Sequence, residues 1–423
     1  MPDFFSSDLP IYKVVCFTLQ TIDGYDVLAM SFAAPTLAED WSLSADRLGL
    51  LFSAGLLGMT AGAMFLAPLT DRYGRRTMIL IGVTVMGVTM FATAWSANLE
   101  VMIALRLLTG LAIGSMMASL TALVSEFFPD RLRNVAVGLL LAGYPLGAIL
   151  GGIFAALLIP EYGWPGVFVA GGLLSLAMLP LVLIWIPESL HYLLRRRPPG
   201  ALEQVNDVLG RLQMARVNEL PQAEAEPEPA SVRSLLTPER RTGTLQLWTS
   251  FFLCFATLYF LLSWIPKLLV DSGLDLEQAI YAGIAFNIGG VIGDALIGYA
   301  ANRFGVQRSI LYFHILAAVG MILFAFLPLG IAALLLLTTI IGTFQQGGFV
   351  GFYIAAARLY PADIRSTGVG WGIGLGRFGA VFAPYLAGVL IAAGWGISAL
   401  FTLFAVPLVI GGWITYRIRS DSL

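Results

Sequence analysis

Along most of the chain, apolar residues run in long stretches broken by short polar segments rich in Arg, Asp, Gly and Pro. A helix needs ~20 apolar residues to cross the hydrocarbon core of a bilayer, whereas membrane-spanning strands read as ~10-residue alternating segments. The pattern predicts twelve transmembrane helices, at 11–36, 48–69, 77–96, 99–124, 134–159, 164–186, 244–266, 276–300, 309–329, 331–357, 366–392 and 394–416. The third and fourth spans, and the ninth and tenth, have very short connectors. A single sizeable polar stretch, 187–243, separates an N-terminal six-helix half, 1–186, from a C-terminal one, 244–423. It carries "RRRPPG" and the acidic, proline-rich "PQAEAEPEPA", a composition that buries no core. It is expected to be a linker, with one short surface helix near Ala201 to Met214.

Composition agrees with lipid as the main solvent: of 423 residues 58% are apolar and only 12% charged, with a mean hydropathy of +0.83. Soluble domains carry about a quarter charged residues. The net charge of −2 argues against a nucleic-acid partner, which needs a basic face. Cys16 and Cys254 lie far apart in apolar runs, giving neither a disulfide framework nor metal-ligand spacing; no metal or cofactor is expected. The first apolar run lacks a basic lead and a small-residue cleavage site, so it is expected to be retained as a helix and not removed as a signal peptide.

Most of the 24 Lys and Arg fall in the terminal segments, the central linker or the even-numbered loops, among them Arg72, Arg75, Arg76, Arg131, Arg133, Arg303, Arg308, Arg358 and Arg365. Arg47 and Lys267 sit at odd loops; Arg106 and Arg377 lie within spans. By the positive-inside rule both termini and the linker face the cytoplasm. The chain is therefore expected to be a multi-pass protein of the inner, cytoplasmic membrane.

The halves repeat each other. "PDRLRNVAVG" (Pro129 to Gly138) aligns with "PADIRSTGVG" (Pro361 to Gly370), and "DRYG" (Asp71 to Gly74) with "NRFG" (Asn302 to Gly305), at offsets of 232 and 231. Six helices, a linker and six more of the same design is the plan of a transporter whose halves rock around a site near the bilayer midplane.

"GAMFLAPLTDRYGRR" resembles the loop signature of the major facilitator superfamily. Arg106 with Gly110 resembles its RxxxG motif, and "IPES" (Ile186 to Ser189) the PES element of its sugar and organic-ion branches. "DGYD" (Asp23 to Asp26) resembles the D-G-x-D signature of the aromatic acid:proton symporter family. The resemblance covers essentially the whole chain and implies the major facilitator fold. There are departures: Ala67 stands where the loop motif has glycine, Asn302 replaces the second aspartate, and "GYPLGAILGG" lacks the Gly-Pro pair of proton antiporters.

Five ionisable residues lie well inside spans: Asp23, Asp26, Arg106, Asp294 and Arg377. Each costs roughly 2.5–3.5 kcal/mol on insertion scales and normally faces a partner or a wet cavity. At ~1.5 Å per residue, Asp23 and Asp26 lie about 18 and 22 Å into the first helix. Three apart, they share a face; two carboxylates so close cannot both ionise cheaply, which suits a proton-carrying site. A structural pair of Asp26 with Arg106 is the plainer alternative. Gly24 between them either admits a close approach or simply packs helices.

Arg377, in "GIGLGRFGAVFAP", is the first choice for a substrate carboxylate, because a guanidinium binds one bidentately; Phe378 is adjacent. Arg106 is assigned to Asp23 or Asp26 through its resemblance to the coupling motif, although the two arginines could exchange roles. Asp294 is, with Asp23, Asp26 and Arg106, a candidate for proton coupling; Asn287 and Asp294 share a face of the eighth span, and Gln345, Phe349 and Tyr353 form a stripe on the tenth. With Tyr144, Tyr259, Trp264 and Phe286 these are candidates to line a pocket for an aromatic ring. His314 is expected to be structural.

The loop residues Asp71, Arg72, Gly74, Arg75, Glu126 and Arg303 are implied to form a cytoplasmic gate. The resemblance has Asp71 capping the eleventh helix near Ser366, and Arg72 or Arg75 pairing with Glu126. The function implied is secondary active import of an aromatic carboxylate, of the benzoate or hydroxybenzoate class, by a monomer with proton symport and alternating access. A proton-coupled multidrug or organic-ion antiporter is the rival, and a non-transporting membrane receptor or scaffold a more distant one. Enzyme chemistry is not expected, since no nucleophile–base pairing or phosphate loop stands out.

Overall fold

A computed structural model describes residues 9–128, 130–221, 232–361 and 364–418. Among the described residues regular structure is helical throughout, without strands. In the first half come α1 (Leu9–Asp40), α2 (Ala45–Ala61), α3 (Thr70–Tyr73), α4 (Arg75–Thr93), α5 (Leu99–Phe127) and α6 (Asp130–Trp185). The linker region holds α7 (Leu190–Arg196), α8 (Ala201–Arg211) and α9 (Val232–Leu235). The second half contains α10 (Arg241–Asp271), α11 (Leu276–Phe304), α12 (Val306–Phe326), α13 (Ile331–Leu359), α14 (Arg365–Ala392) and α15 (Ile397–Tyr416). Most of "PQAEAEPEPA" lies outside the described residues.

Each expected span falls on one of these helices, with two adjustments. The fifth and sixth spans are the arms of α6, which breaks at Gly163 (φ 65°, ψ −173°), a backbone angle open to glycine and strained for other residues. The second span does not stay α-helical. Pro68 has no N–H to give to the preceding turn, and α2 runs into a π turn (Gly62–Leu66) and a 3₁₀ turn (Ala67–Leu69) before α3. Among the described residues ten helices are long and apolar enough to cross a membrane. One of them, Val135–Trp185, has the 51 residues of two crossings. The 32-residue α1 is long enough but is not among the ten, because its polar residues dilute it.

The repeat extends from sequence to backbone. Ala45–Tyr73 and α11 are each 29 residues long, as are α5 and α13. Gly74 (φ 93°, ψ 148°) and Gly305 (φ 86°, ψ 148°) turn the two loop motifs with nearly the same angles. Close helix approaches repeat too. Gly58 lies against the Leu107 carbonyl and Gly289 against that of Thr339, while Gly147 meets the Thr21 carbonyl and Gly379 that of Phe252. A Cβ at any of these four would strike backbone, as expected for small residues that let membrane helices pack on one another.

The chain divides into two compact units. The first comprises Met1–Asp26, Leu57–Gly147 and Phe168–Pro227; the second comprises Val27–Leu56, Ala148–Val167 and Glu228–Leu423. In the first, α4 packs on α5 through Gly82 and Met116, and Asn98 caps α5 by accepting the Val101 N–H at 2.9 Å. In the second, stacked rings fasten α15: Phe404 on Phe260 at 4.0 Å and Phe401 on Phe324 at 4.7 Å. Proline sets a further contact there. Pro266 leaves the Leu262 carbonyl without its helical donor, and Ser31 Oγ on α1 donates to that carbonyl at 2.6 Å and to Ser263 O at 3.0 Å. Ser53 Oγ on α2 likewise donates to Val381 O at 2.6 Å, one turn before Pro384 on α14.

Candidate functional site

In the first unit the acids of α1 meet Arg106 of α5. Asp23, Asp26 and Arg106 are 0%, 1% and 4% exposed. Arg106 Nη1 donates to Asp26 Oδ1 at 2.9 Å. Its Nη2 reaches Thr93 Oγ1 at 3.1 Å, Thr109 Oγ1 at 3.2 Å and Met90 Sδ at 3.5 Å. The guanidinium also lies 5.1 Å from the Phe168 ring centroid. The two aspartates therefore differ: Asp26 is half of a buried ion pair, whereas neither oxygen of Asp23 has a hydrogen-bond partner among the described residues. An isolated carboxylate is far costlier to bury charged than neutral, so this packing suits an Asp23 that carries a proton. One turn away on the same face, Gln20 is 0% exposed and its amide too is without a partner among the described residues. Gly24 packs helices: a Cβ there would strike the Tyr144 carbonyl of α6.

In the second unit an aromatic wall spans α10 and α13. Phe255 and Tyr259 stack at 6.0 Å; Phe349 sits edge-on to Phe255 at 4.8 Å and to Tyr353 at 5.4 Å; Phe251 is edge-on to Tyr353 at 5.6 Å. Four-residue spacing on both helices produces this, since residues i and i+4 lie above one another. On α14, Gly376 packs against the Phe255 and Phe251 rings with no room for a Cβ, and the residue after it, Arg377, is half-buried. The Tyr353 hydroxyl lies within electrostatic reach of Arg377, Tyr259, Cys254 and Asp294.

Several other candidates make contacts of their own. Trp264 is 1% exposed, its indole N–H is given to Pro384 O at 3.0 Å and its ring lies edge-on to Phe52; it fastens helices. Phe286 is buried, and its carbonyl accepts from Gln346 Nε2 at 3.3 Å. Asn287 Nδ2 is spent within its own helix on Gly283 O at 2.9 Å. Phe378, two residues beyond Gly376, is turned by about 200° on a 3.6-residue helix and is 46% exposed, away from the Phe251 and Phe255 rings. Tyr144 is half-buried in the first unit, and Asp294 is exposed on α11.

The loop set in the first unit is a bracket around the start of α4. Arg75 Nη1 pairs with Glu126 Oε1, which also accepts from Ser189 Oγ at 3.1 Å. Glu188 Oε1 accepts the backbone N–H groups of Arg75 (2.7 Å), Arg76 (3.1 Å) and Ser189 (2.9 Å). A carboxylate on the free N–H groups of a helix start is favoured by their dipoles. A Cβ on Gly74 would collide with Glu188. Arg196 Nε donates to Asp71 O at 3.0 Å; Arg72 lies over Tyr73 and Arg303 over Phe304. Ser366, the expected neighbour of Asp71, has a side chain outside the described ones.

Gln20 and Glu188 were not among the sequence candidates. The cost of an amide in an apolar span, the signal that selects Gln345, also applies to Gln20. Glu188 sits inside the "IPES" element, but two of its partners, Arg75 and Arg76, come from a loop more than a hundred residues earlier.

Among known proteins, the family model described as Major Facilitator Superfamily matches residues 16–335. The chain is 36% identical to the 4-hydroxybenzoate transporter PcaK of Pseudomonas aeruginosa, covering 93% of this chain and 89% of that one. It is 35% identical to a gallate transporter of Pseudomonas putida, covering 93% and 88%. Its fold is similar to that of the xylose transporter XylE from E. coli, with a TM-score of 0.74 at 18% identity over 96% and 95% of the two chains. A family model spanning most of the chain and relatives at this identity over nearly its full length place it: the chain belongs to the major facilitator superfamily.

Proposed function

We propose that this transporter, which is not an enzyme, carries an aromatic carboxylate of the benzoate or hydroxybenzoate class into the cell together with a proton. The proposal includes alternating access by two six-helix halves, a monomer, and both termini on the cytoplasmic side of the inner membrane. The observation that carries it is the wall of Phe251, Phe255, Tyr259, Phe349 and Tyr353 with Arg377 within electrostatic reach of Tyr353. Rings favour edge-on and offset contacts with another ring, and a guanidinium fork matches a carboxylate. The names of the 4-hydroxybenzoate and gallate transporters support the substrate class.

Proton coupling rests on Asp23. A carboxylate anion entering an inside-negative cell works against about 2.3 kcal/mol per charge per 100 mV. One accompanying proton removes that cost. Asp23, buried and without a partner among the described residues, is the acid assigned to accept it, and the adjacent Asp26–Arg106 pair is the group whose balance that proton alters. Arg75, Glu126 and Glu188 are assigned to the gate, with Asp71, Arg72 and Arg303 at its margins.

Purified protein in sealed liposomes, offered labelled 4-hydroxybenzoate with an acid exterior, is expected to accumulate it above the level of protein-free vesicles. Cationic drugs are not expected to compete. Uptake of organic cations with no uptake of any aromatic acid would overturn the proposal in favour of a drug antiporter.

A further inference from the structure

Behind the aromatic wall lies a polar chain that carboxylate binding and proton coupling leave without a task. It joins α10, α12 and α13 through Cys254, His314 and Gln345, all fully or almost fully buried. Cys254 Sγ lies 3.5 Å from His314 Nε2, and Gln345 Nε2 donates to the same sulfur at 3.7 Å. The imidazole is seated between glycines: a Cβ on Gly348 would strike the ring, and Gly412 lies against its other side. His314 was expected to be merely structural, yet its helix delivers it to this chain.

The donor inventory allows one direction along the chain when His314 carries its proton on Nδ1, an atom that has no partner among the described residues. A neutral imidazole has one acceptor nitrogen, and a thiol has one donor and a weak acceptor. In that tautomer the thiol S–H has His314 Nε2 as its acceptor, and the Gln345 amide is held with its nitrogen towards Cys254. That leaves Gln345 Oε1 buried and without a partner among the described residues. A buried carbonyl oxygen is rarely left unmatched unless something else supplies the donor. Gln345 stands one turn before Phe349 and two before Tyr353, and Cys254 is within electrostatic reach of the Tyr353 hydroxyl.

We propose that Gln345 Oε1 accepts a hydrogen bond from a ring hydroxyl of the substrate, selecting hydroxylated aromatic acids over unsubstituted ones, and that Cys254 and His314 are positioning residues that hold the amide in this sense. The inference rests on the aromatic-acid function proposed above. A site built to bond a substrate hydroxyl discriminates strongly against the analogue lacking it, because its polar group is then left unpaired.

The test is a binding panel on the purified full chain with benzoate, 3- and 4-hydroxybenzoate, and 4-methoxybenzoate, which accepts but cannot donate. The wild type is expected to favour one hydroxybenzoate over benzoate by at least about tenfold and to show no such gain for the methoxy compound. In Gln345→Met that ratio falls towards one. Cys254→Ala and His314→Leu lower it, and Cys254→Ser, which keeps a donor and an acceptor, restores it; a merely structural cysteine would not give that rescue in the ratio. Equal wild-type affinity for benzoate and both hydroxybenzoates, or a ratio unmoved by Gln345→Met, overturns this inference alone. Absence of binding by every acid overturns it together with the function beneath it.

Discussion

Asp26→Asn and Asp23→Asn should have opposite characters, although the two aspartates are neighbours in one tetrapeptide. Asp26 balances Arg106 across 2.9 Å with both side chains nearly inaccessible. Removing the carboxylate leaves the guanidinium buried against Thr93, Thr109, Met90 and the Phe168 face, none of which carries charge. Breaking a buried pair in this way costs about 3–5 kcal/mol, or roughly two to three and a half decades in the unfolding equilibrium at 1.4 kcal/mol per decade. Asp23→Asn removes no protein hydrogen bond among the described residues, so its effect should stay below the ~1 kcal/mol that one such bond contributes. Because well-packed apolar residues replace buried pairs with little loss, the double variant Asp26→Leu with Arg106→Met should recover most of the stability lost in Asp26→Asn. Reversible unfolding of purified protein in mixed micelles reads all four states. Transport should vanish in Asp23→Asn despite its intact fold. A neutral Asp26→Asn, or an Asp23→Asn as unstable as its neighbour, would refute the division of labour.

Three further outcomes follow from individual contacts. Ser31→Ala should cost about 1–3 kcal/mol by leaving the Leu262 carbonyl unpaired, and adding Pro266→Ala should return part of that by restoring a helical N–H to it, as read by the same unfolding titration. Gly74→Ala combines an angle of φ 93° with a collision at Glu188; it should lower the uptake rate by about fivefold or more, from the ~1–3 kcal/mol of a strained backbone position. Arg377→Lys, which keeps the charge but loses the planar fork, should weaken aromatic-acid binding by roughly tenfold, whereas an unchanged dissociation constant would remove Arg377 from the substrate.

The helix plan was legible because lipid leaves a chain few choices: a long apolar run has to satisfy its backbone within one helix, and the short polar breaks join one helix to the next. The break at Gly163 and the π turn ahead of Pro68 are local backbone events that a hydropathy average cannot register, so one expected loop proved to be a kink. Asp26 with Arg106 was readable because charge inside lipid demands a partner. The difference between Asp23 and Asp26 was not, since it depends on which turn of α5 lies opposite each. Aromatic residues were the least legible. Trp264, Phe286 and Tyr353 look alike in sequence, yet one fastens helices, one is packed away and one stands in the wall, according to neighbours from distant segments.

The most direct test of the coupling claim follows protons and cargo together in vesicles loaded with a pH-sensitive dye, voltage-clamped and started without a pH difference. An inward gradient of 4-hydroxybenzoate is expected to acidify the interior beyond protein-free vesicles in step with labelled cargo, and Asp23→Asn is expected to abolish that excess. Protein-dependent cargo entry without protein-dependent acidification, or an Asp23→Asn protein that moves protons as the wild type does, would contradict the account.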